Sequence, residues 1–385
     1  MNPASPTPGG NGGDAFARLF PGAGIRPVKA ADLTAARSHL DSLTKPVGSL
    51  GRLETLAARL WAMAGGGRPL CVEPALMLTV AADHGIAARG VSPFPQAVTR
   101  QMVANFLAGG AAINVLCRTN GLSLRVVDAG CAGGPFPAHP LLLERRQGDG
   151  TADMSAGPAM SLAACEAALR AGYALAADAF AEGFRCLGLG EMGIANSTAA
   201  TALYCALLDL APEAVAGPGA GAAPAMVARK ADLVAQALTV NARAVDDGPV
   251  ATLAALGGFE IAVMCGAMLG AAAHGMPVLV DGFISTSACA AALAIAPPMA
   301  GYAILTHVSA EPGYAGAIRR MTERAAAAAG LADWGEPLLA LGLRLGEGTG
   351  AALAWPLVKS AAAICNEMAT MASAGVSATE EDRLS

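Results

Sequence analysis

The chain has 385 residues and a formal net charge of −5; hydrophobic residues make up 54% of it and charged residues only 14%. This composition excludes a disordered polyelectrolyte and a disulfide-rich scaffold, and it gives nucleic-acid binding no electrostatic support. The length allows one large domain or two smaller ones with a sizeable core.

The N-terminal stretch is rich in proline and glycine and lacks the basic start and apolar run of a signal peptide. We therefore predict a flexible tail over residues 1–28 and, by default, a cytoplasmic location. Leucine and alanine then recur at helical spacing over 32–43 and 50–64. Together with a helical C-terminal segment, these helices predict a small helical subdomain built from residues 29–70 and 337–385.

Residues 71–336 show a different pattern, in which short apolar runs end in Gly, Asp or His and are followed by helical stretches. The predicted strands are Ala75–Ala82, Leu122–Val127, Phe184–Leu189, Pro277–Val280 and Tyr302–Leu305. Non-alternating strands separated by helices are typical of a parallel sheet covered on both faces. We predict a large α/β domain with a doubly wound, mainly parallel sheet of five or six strands. Ligands bind at the carboxyl edge of such sheets, so the polar residues after these strands indicate a site there.

Two uncharged segments, 261–280 and 282–306, and a mean hydropathy of +0.47 raise the question of a membrane protein. Both segments are rich in alanine and glycine rather than in leucine or phenylalanine and both contain proline, which favours a buried core, and we predict no stable membrane insertion. The nine cysteines and five histidines form no C-x-x-C or H-x-x-x-H pattern. We predict no metal site, with His84 and His307 as the weak alternatives.

Three glycine-bearing turns could hold an anion against backbone N–H groups. They cover residues 190–198, 217–221 and 346–350. None has the lysine of a Walker A motif, and Gly188-x-Gly190-x-x-Gly193 carries Glu191 where a dinucleotide pyrophosphate would approach. We therefore predict no bound cofactor, whereas a mononucleotide phosphate held by several loops stays possible.

Two charged residues are the main candidates for chemistry. Glu347 lies between two glycines in a charge-poor chain, where a raised carboxyl pKa suits a general base. The alternative is a glutamate that interacts with the N-terminus of a helix. Lys230 lies in a helical stretch and is either a ligand for a substrate anion or a solvated surface charge.

The motifs between residues 33 and 374 resemble, in the same order along the chain, those of the nicotinate-nucleotide–dimethylbenzimidazole phosphoribosyltransferase family. The motifs are Lys45–Glu54, Ala82–Gly85, Gly90–Thr99, Gly109–Asn114, Gly190–Thr198, Gly257–Glu260, Val280–Phe283, His307–Glu311 and Arg344–Ala351. The resemblance implies transfer of phosphoribose from nicotinate mononucleotide to 5,6-dimethylbenzimidazole. The products are α-ribazole 5′-phosphate and nicotinate, with inversion at C1′, and the family is homodimeric.

The resemblance also assigns roles to residues of this sequence. It makes Glu347 the general base, and it places Ser92 and Gln96 in the pocket for the acceptor base. The other expected substrate-binding residues are Glu191, Lys230, Gly190, Gly193, Asn196, Asp281, Ser309, Gly346 and Gly348. One departure is the loop 217–221, which lacks an arginine and a threonine that relatives often carry.

Two other functions stay open at this point. One is a non-catalytic ligand-binding α/β protein of corrinoid metabolism, and the other is a nucleotide phosphorylase that uses free phosphate. Release of nicotinate by the purified protein would distinguish them from the transferase.

Overall fold

The fold is built on six strands in one parallel sheet, seen in a computed structural model that describes residues 12–329 and 334–377. The strands are β1 (Ala75–Ala82), β2 (Ser123–Gly130), β3 (Leu142–Glu144), β4 (Cys186–Met192), β5 (Val278–Val280) and β6 (Ala303–Leu305). Their order is β3-β2-β1-β4-β5-β6, and every neighbouring pair is parallel.

Helices connect the strands and cover the sheet. The α-helices are α1 (Gly12–Leu19), α2 (Ala30–Asp41), α3 (Arg52–Met63), α4 (Ala97–Ala108), α5 (Ala112–Asn120), α6 (Leu162–Ala181), α7 (Asn196–Leu208), α8 (Pro212–Val215), α9 (Pro224–Val240), α10 (Ala242–Asp246), α11 (Pro249–Leu256), α12 (Phe259–Ala273), α13 (Phe283–Ile295), α14 (Tyr314–Ala329), α15 (Thr349–Glu367) and α16 (Met371–Ala374). Short 3-10 helices cover Gly85–Arg89 and Pro297–Gly301.

The predicted doubly wound parallel sheet is confirmed. Each of the five predicted strands overlaps an observed one, and the two predicted N-terminal helices correspond to α2 and α3. The sixth strand, β3, was not predicted because it has three residues and is only partly buried, and the apolar run at residues 141–143 is too short to indicate a strand. The order changes direction between β1 and β4, and in open α/β sheets such a point opens a crevice for ligands.

The uncharged segments that raise the hydropathy lie inside the protein. Helix α12 is buried almost throughout, and α13 has ten buried residues of thirteen. Among the described residues, one stretch, Ala97–Asn120, is long and apolar enough to cross a membrane by length and composition. Gly109, with a φ of +79°, divides this stretch into α4 and α5.

Part of the predicted tail is structured, which corrects that prediction. Within residues 1–28, α1 packs on the core through the buried side chains of Phe16 and Leu19. The Phe20 ring stacks on Tyr173 with 4.3 Å between the centroids. Residues 1–11 lie outside the described part of the chain. The sequence shows these aromatic residues, but the surface that receives them forms only in the folded protein.

Both chain ends meet on one side of the sheet. Helices α2 and α3 pack together and α3 packs on α15, while Leu43 forms an isolated β-bridge with Thr370. Helix α15 also contacts β4 and β5, so it joins this helical part to the sheet. The division into a small helical and a large α/β domain stays a prediction.

Helices α6 and α12 approach each other so closely that glycine is required at their contact. A Cβ atom added at Gly172 would lie 1.9 Å from the Val263 carbonyl oxygen, and one added at Gly266 would lie 2.0 Å from the Leu169 carbonyl oxygen. Backbone atoms cannot move aside as a flexible side chain does, so the two helices would have to separate.

We predict that Gly172→Ala lowers the free energy of unfolding by about 3 kcal/mol, as overpacking of a close contact does. The matched control is Gly316→Ala in α14, where an added Cβ meets open space. Because alanine favours helix, that variant should be neutral or more stable by up to about 1 kcal/mol. Urea unfolding measures both, and equal midpoints for Gly172→Ala and the wild type would contradict the prediction.

Candidate active site

A cleft opens at the carboxyl ends of β4, β5 and β6, where the sequence predicted a site. It encloses about 850 Å³ when the space is counted out to its open mouth. Its polar lining includes Ser92, Glu191, Asn196, Ser197, Lys230, His307, Ser309, Glu311 and Arg344. The turns that follow β4 and precede α15 supply backbone at Gly193 and Gly346.

The turn that carries Glu347 has an uncommon backbone conformation. Gly346, Glu347 and Gly348 all have positive φ, and the value of +64° at Glu347 is unusual for a residue with a side chain. Such a residue costs on the order of 1 kcal/mol and persists only where its neighbours hold it. The Glu347 N–H donates to the Glu191 carbonyl oxygen at 3.2 Å, and the Thr79 hydroxyl donates to the Glu347 carbonyl oxygen at 2.9 Å.

Asp281, immediately after β5, anchors the same turn and the start of α15. Its Oδ1 accepts from the N–H groups of Gly350 at 2.8 Å and Ala351 at 3.2 Å, and its Oδ2 accepts from Gly348 at 3.1 Å. A carboxylate at a helix N-terminus is favourable because the free N–H groups point at it. His307 Nε2 lies 3.5 Å from Oδ1; burial lowers the pKa of His307, but the Asp281 carboxylate outweighs burial and raises it overall.

The Glu347 side chain turns to the beginning of α5 and is not part of the cleft lining. Its Oε2 accepts from the Ile113 N–H at 3.2 Å, and only 4% of the residue is exposed. Burial raises the pKa of this carboxyl, the Ile113 amide opposes the rise, and the negative charge of Asp281 adds to it. The motif Gly109–Asn114 thus has a structural role, because it forms the turn into α5 that presents this amide.

Glu191, near the end of β4, is one of the two glutamates that line the cleft, with Glu311. It is 6% exposed and accepts a hydrogen bond from the Asn196 side-chain amide. Burial raises the pKa of Glu191 to about 8; Asn196 opposes this, and the charges of Asp281, Glu260 and Glu347 add to it. The cleft therefore presents a protonated, uncharged Glu191 at neutral pH.

Lys230 lies at the other end of the cleft and is not a solvated surface charge. The residue is 1% exposed, and its Nζ donates to the Gly217 carbonyl oxygen at 2.8 Å and to the Ser197 hydroxyl at 3.1 Å. Burial lowers the pKa of Lys230, and the nearby Glu311 carboxylate works against this. The divergent loop 217–221 remains part of the cleft wall in spite of the residues it lacks.

The cleft brings together seven of the twelve predicted site residues: Ser92, Glu191, Gly193, Asn196, Lys230, Ser309 and Gly346. Two more, Glu347 and Gly348, belong to the turn that forms its wall, and Asp281 anchors that turn from the end of β5. Gly190 packs behind that turn, where an added Cβ would lie 2.2 Å from the Glu347 carbonyl carbon. Gln96 lies in a separate depression with Asp83 and Arg100.

Among the polar cleft residues, Ser197, Glu311 and Arg344 were not predicted, and His307 was considered only as a weak metal candidate. Ser197 and Glu311 lie within motifs that the sequence singles out, but nothing in the spacing shows that Lys230 and loop 217–221 approach them. Arg344 Nη1 donates to the Gly219 carbonyl oxygen at 3.3 Å, a contact between segments distant in sequence.

The two histidines considered as weak metal candidates each pair with a carboxylate. His84 Nε2 lies 2.6 Å from Glu260 Oε1, and both residues are buried. Within the ranges 12–329 and 334–377, no group of three or more histidine, cysteine, aspartate or glutamate residues has the arrangement of a metal site.

We predict that Glu191 makes stability depend on pH. Because burial raises the pKa of this carboxyl from 4.5 to about 8, Glu191 contributes to the stability of the folded state. The contribution is complete below pH 4.5 and is lost as the pH rises through about 8. Glu191→Gln should therefore lose less stability than the wild type between about pH 5 and about pH 9, by on the order of 3 kcal/mol. Urea unfolding across this pH range measures the difference. The control is Glu73→Gln at an exposed position, and parallel curves for Glu191→Gln and the wild type would refute the prediction.

Comparisons with known proteins show the family of the chain. A family profile described as phosphoribosyltransferase matches residues 25–376. The nicotinate-nucleotide–dimethylbenzimidazole phosphoribosyltransferase of Nitratidesulfovibrio vulgaris strain DP4 is 57% identical over 358 residues, 93% of this chain and 97% of its own length. The protein of that name from Chlorobaculum parvum is 45% identical over 94% of this chain and 98% of its own. The crystal structure of the Thermus thermophilus enzyme of this name has a TM-score of 0.82 and 41% identity, and it covers 91% of this chain and 100% of its own. The chain therefore belongs to the phosphoribosyltransferase family.

Proposed function

We propose that this enzyme transfers phosphoribose from nicotinate mononucleotide to 5,6-dimethylbenzimidazole and releases nicotinate. The product is α-ribazole 5′-phosphate, formed with inversion at C1′. The observation that carries the proposal is the 57% identity, over 93% of the chain, to a relative named for these two substrates. The cleft at the carboxyl edge of the sheet supports it as well, because its lining includes Lys230, Asn196 and Ser309, polar groups that suit a nucleotide.

The chemistry of this transfer needs one base and no acid. Nicotinate leaves from a pyridinium ring, so its departure neutralises a cation and requires no proton. The attacking benzimidazole nitrogen becomes part of a cation unless the other ring nitrogen loses its proton. One carboxylate that accepts this proton is sufficient, and the rest of the site has to hold two rings and a phosphate in line.

We assign the base to Glu347. Its turn forms part of the cleft wall at Gly346, and its carboxylate is held by a single amide hydrogen bond from Ile113. When the acceptor base binds, its N–H replaces this amide as the donor to the carboxylate. Burial raises the pKa of Glu347, which makes the carboxylate a stronger proton acceptor than an exposed glutamate.

We assign the phosphate of the nucleotide to the amides that follow β4 and to Ser309, with Lys230 as the nearby cation. The glycine-rich turn 190–196 leads into α7, whose N-terminal N–H groups favour an anion. Glu191 is uncharged at neutral pH because burial raises its pKa to about 8, so it does not repel the phosphate.

We also propose that the enzyme works as a homodimer in the cytoplasm, with its active sites near the subunit interface and without a resident cofactor. The support for the interface is a set of exposed large apolar side chains, one of which, Leu345, lines the cleft. Phe94 is 48% exposed, Leu341 58% and Leu345 59%, and exposed apolar surface of this kind marks contacts with other molecules.

We predict that Glu347→Gln lowers kcat by at least about 100-fold, because the amide keeps the shape of the side chain but cannot take up a proton. Purified protein is incubated with nicotinate mononucleotide and 5,6-dimethylbenzimidazole, and nicotinate is followed by chromatography. The control is Glu336→Gln at an exposed position, which should retain wild-type kcat.

Retention of more than about a tenth of the wild-type kcat in Glu347→Gln, with chemistry limiting turnover, would remove Glu347 from the role of base. Glu191 would then be the next candidate. Nicotinate release that requires free phosphate instead of the benzimidazole would support a nucleotide phosphorylase and overturn the proposed reaction.

We predict that Lys230→Met raises KM for nicotinate mononucleotide by about 10- to 100-fold, because a charge-assisted contact to the phosphate is lost. Arg229→Met is the matched control, since Arg229 is the exposed neighbour on α9 and its loss changes the net charge equally. An unchanged KM with a lower unfolding midpoint for Lys230→Met would make this lysine a structural charge.

A further inference from the structure

One carboxylate in the cleft has an oxygen atom without a partner. Glu311 is 7% exposed, and its Oε2 accepts from the Gly219 N–H at 3.3 Å. Its Oε1 is buried and has no hydrogen-bond partner among the described residues. A buried acceptor of this kind costs free energy until a donor meets it, and in native proteins such atoms belong to sites that a ligand or water completes.

The surroundings of Glu311 fix the side chain in place. A Cβ added at Gly217 would lie 2.1 Å from Oε2, so this loop position has room only for glycine. The Glu311 N–H donates to the Ser309 hydroxyl at 3.4 Å, and the Lys230 ammonium is close enough for the Glu311 charge to raise its pKa. The carboxylate is therefore held at the end of the cleft that we assign to the nucleotide.

The chemistry of the nucleotide decides which of its groups can meet this oxygen. The phosphate and the ring carboxylate are anions and would be repelled by a carboxylate. The pyridinium nitrogen carries no proton, since it bears the ribose. The ribose hydroxyls are the neutral donors that remain, and acidic side chains bind ribose hydroxyls in the same way in dinucleotide sites.

We propose that Glu311 binds a ribose hydroxyl of the nucleotide through Oε1 and makes the enzyme selective for ribonucleotides. This inference rests on the proposed function, because it takes nicotinate mononucleotide as the donor. It assigns Glu311 a contact with the part of the substrate that lies between the phosphate and the reacting carbon. Loss of this contact removes selectivity for the hydroxyl, whereas Glu347 and the acceptor base are unaffected.

The test compares nicotinate mononucleotide with its 2′-deoxy and 3′-deoxy analogues as donors, with 5,6-dimethylbenzimidazole as the acceptor. Removal of the 2′-hydroxyl also changes the reactivity of the glycosidic bond itself. The readout is therefore the change in the ribo-to-deoxy ratio of kcat/KM from wild type to variant. For Glu311→Ala we expect this ratio to fall about 10- to 100-fold for one of the two analogues.

Arg344→Ala is the matched control, because Arg344 holds the same loop residue, Gly219, through its carbonyl oxygen and offers no acceptor. It should change kcat/KM for the ribo and deoxy donors by equal factors. Glu311→Gln keeps the side-chain volume and is the second variant if Glu311→Ala unfolds. With its oxygen on the Gly219 N–H, its NH2 group takes the place of Oε1 and cannot accept the hydroxyl proton, so its ratio should also fall, by about tenfold or more.

An unchanged ratio for both analogues in both folded variants would overturn the proposal and leave Glu311 as a support of loop 217–221. Failure of the proposed function would give a different result from failure of the Glu311 proposal, because the wild type itself would then release no nicotinate from the ribonucleotide.

Discussion

The active-site wall depends on the hydrogen bonds that one buried carboxylate, Asp281, accepts from the backbone. Three N–H groups at the start of α15 converge on it, and His307 Nε2 lies 3.5 Å from its Oδ1. An unpaired carboxylate in this position would be costly to bury, and unpaired N–H groups would be costly as well. Each satisfies the other, and the strained turn at Glu347 is therefore held between β5 and α15.

The same turn connects the sheet to Glu347, the candidate base. The Thr79 hydroxyl in β1 and the Glu191 carbonyl oxygen in β4 each bond to the Glu347 backbone. Gly190 leaves the space that this contact occupies, because any side chain there would overlap the Glu347 carbonyl group. The candidate base is thus placed by the two central strands, the most rigid part of the fold, although it belongs to a loop near the C-terminus.

The charge-poor interior determines the pKa values of the ionisable groups in the site. Burial raises the carboxyl pKa of both Glu191 and Glu347 and lowers the pKa of Lys230. Because the protein interior has a lower dielectric constant than water and holds few charges, each of these charges acts over a longer range than it would at the surface. In the proposed function, specificity for an anionic nucleotide rests on backbone amides and Lys230, and the proposed specificity for its sugar rests on Glu311.

The sequence by itself determined the parallel α/β fold and the positions of five strands. It also predicted seven of the residues that line the cleft. These depend on local patterns, since apolar runs and glycine turns are visible along the chain and strand ends meet at one sheet edge. It predicted a tail where α1 packs, and it missed β3, Ser197, Glu311 and Arg344. Only the tertiary structure placed the Glu347 carboxylate on the Ile113 amide, separated Gln96 from the cleft and left one Glu311 oxygen free to bind. Those outcomes follow from distances between segments far apart in the chain, and burial and hydrogen bonding across such distances are set by the packing of the whole core.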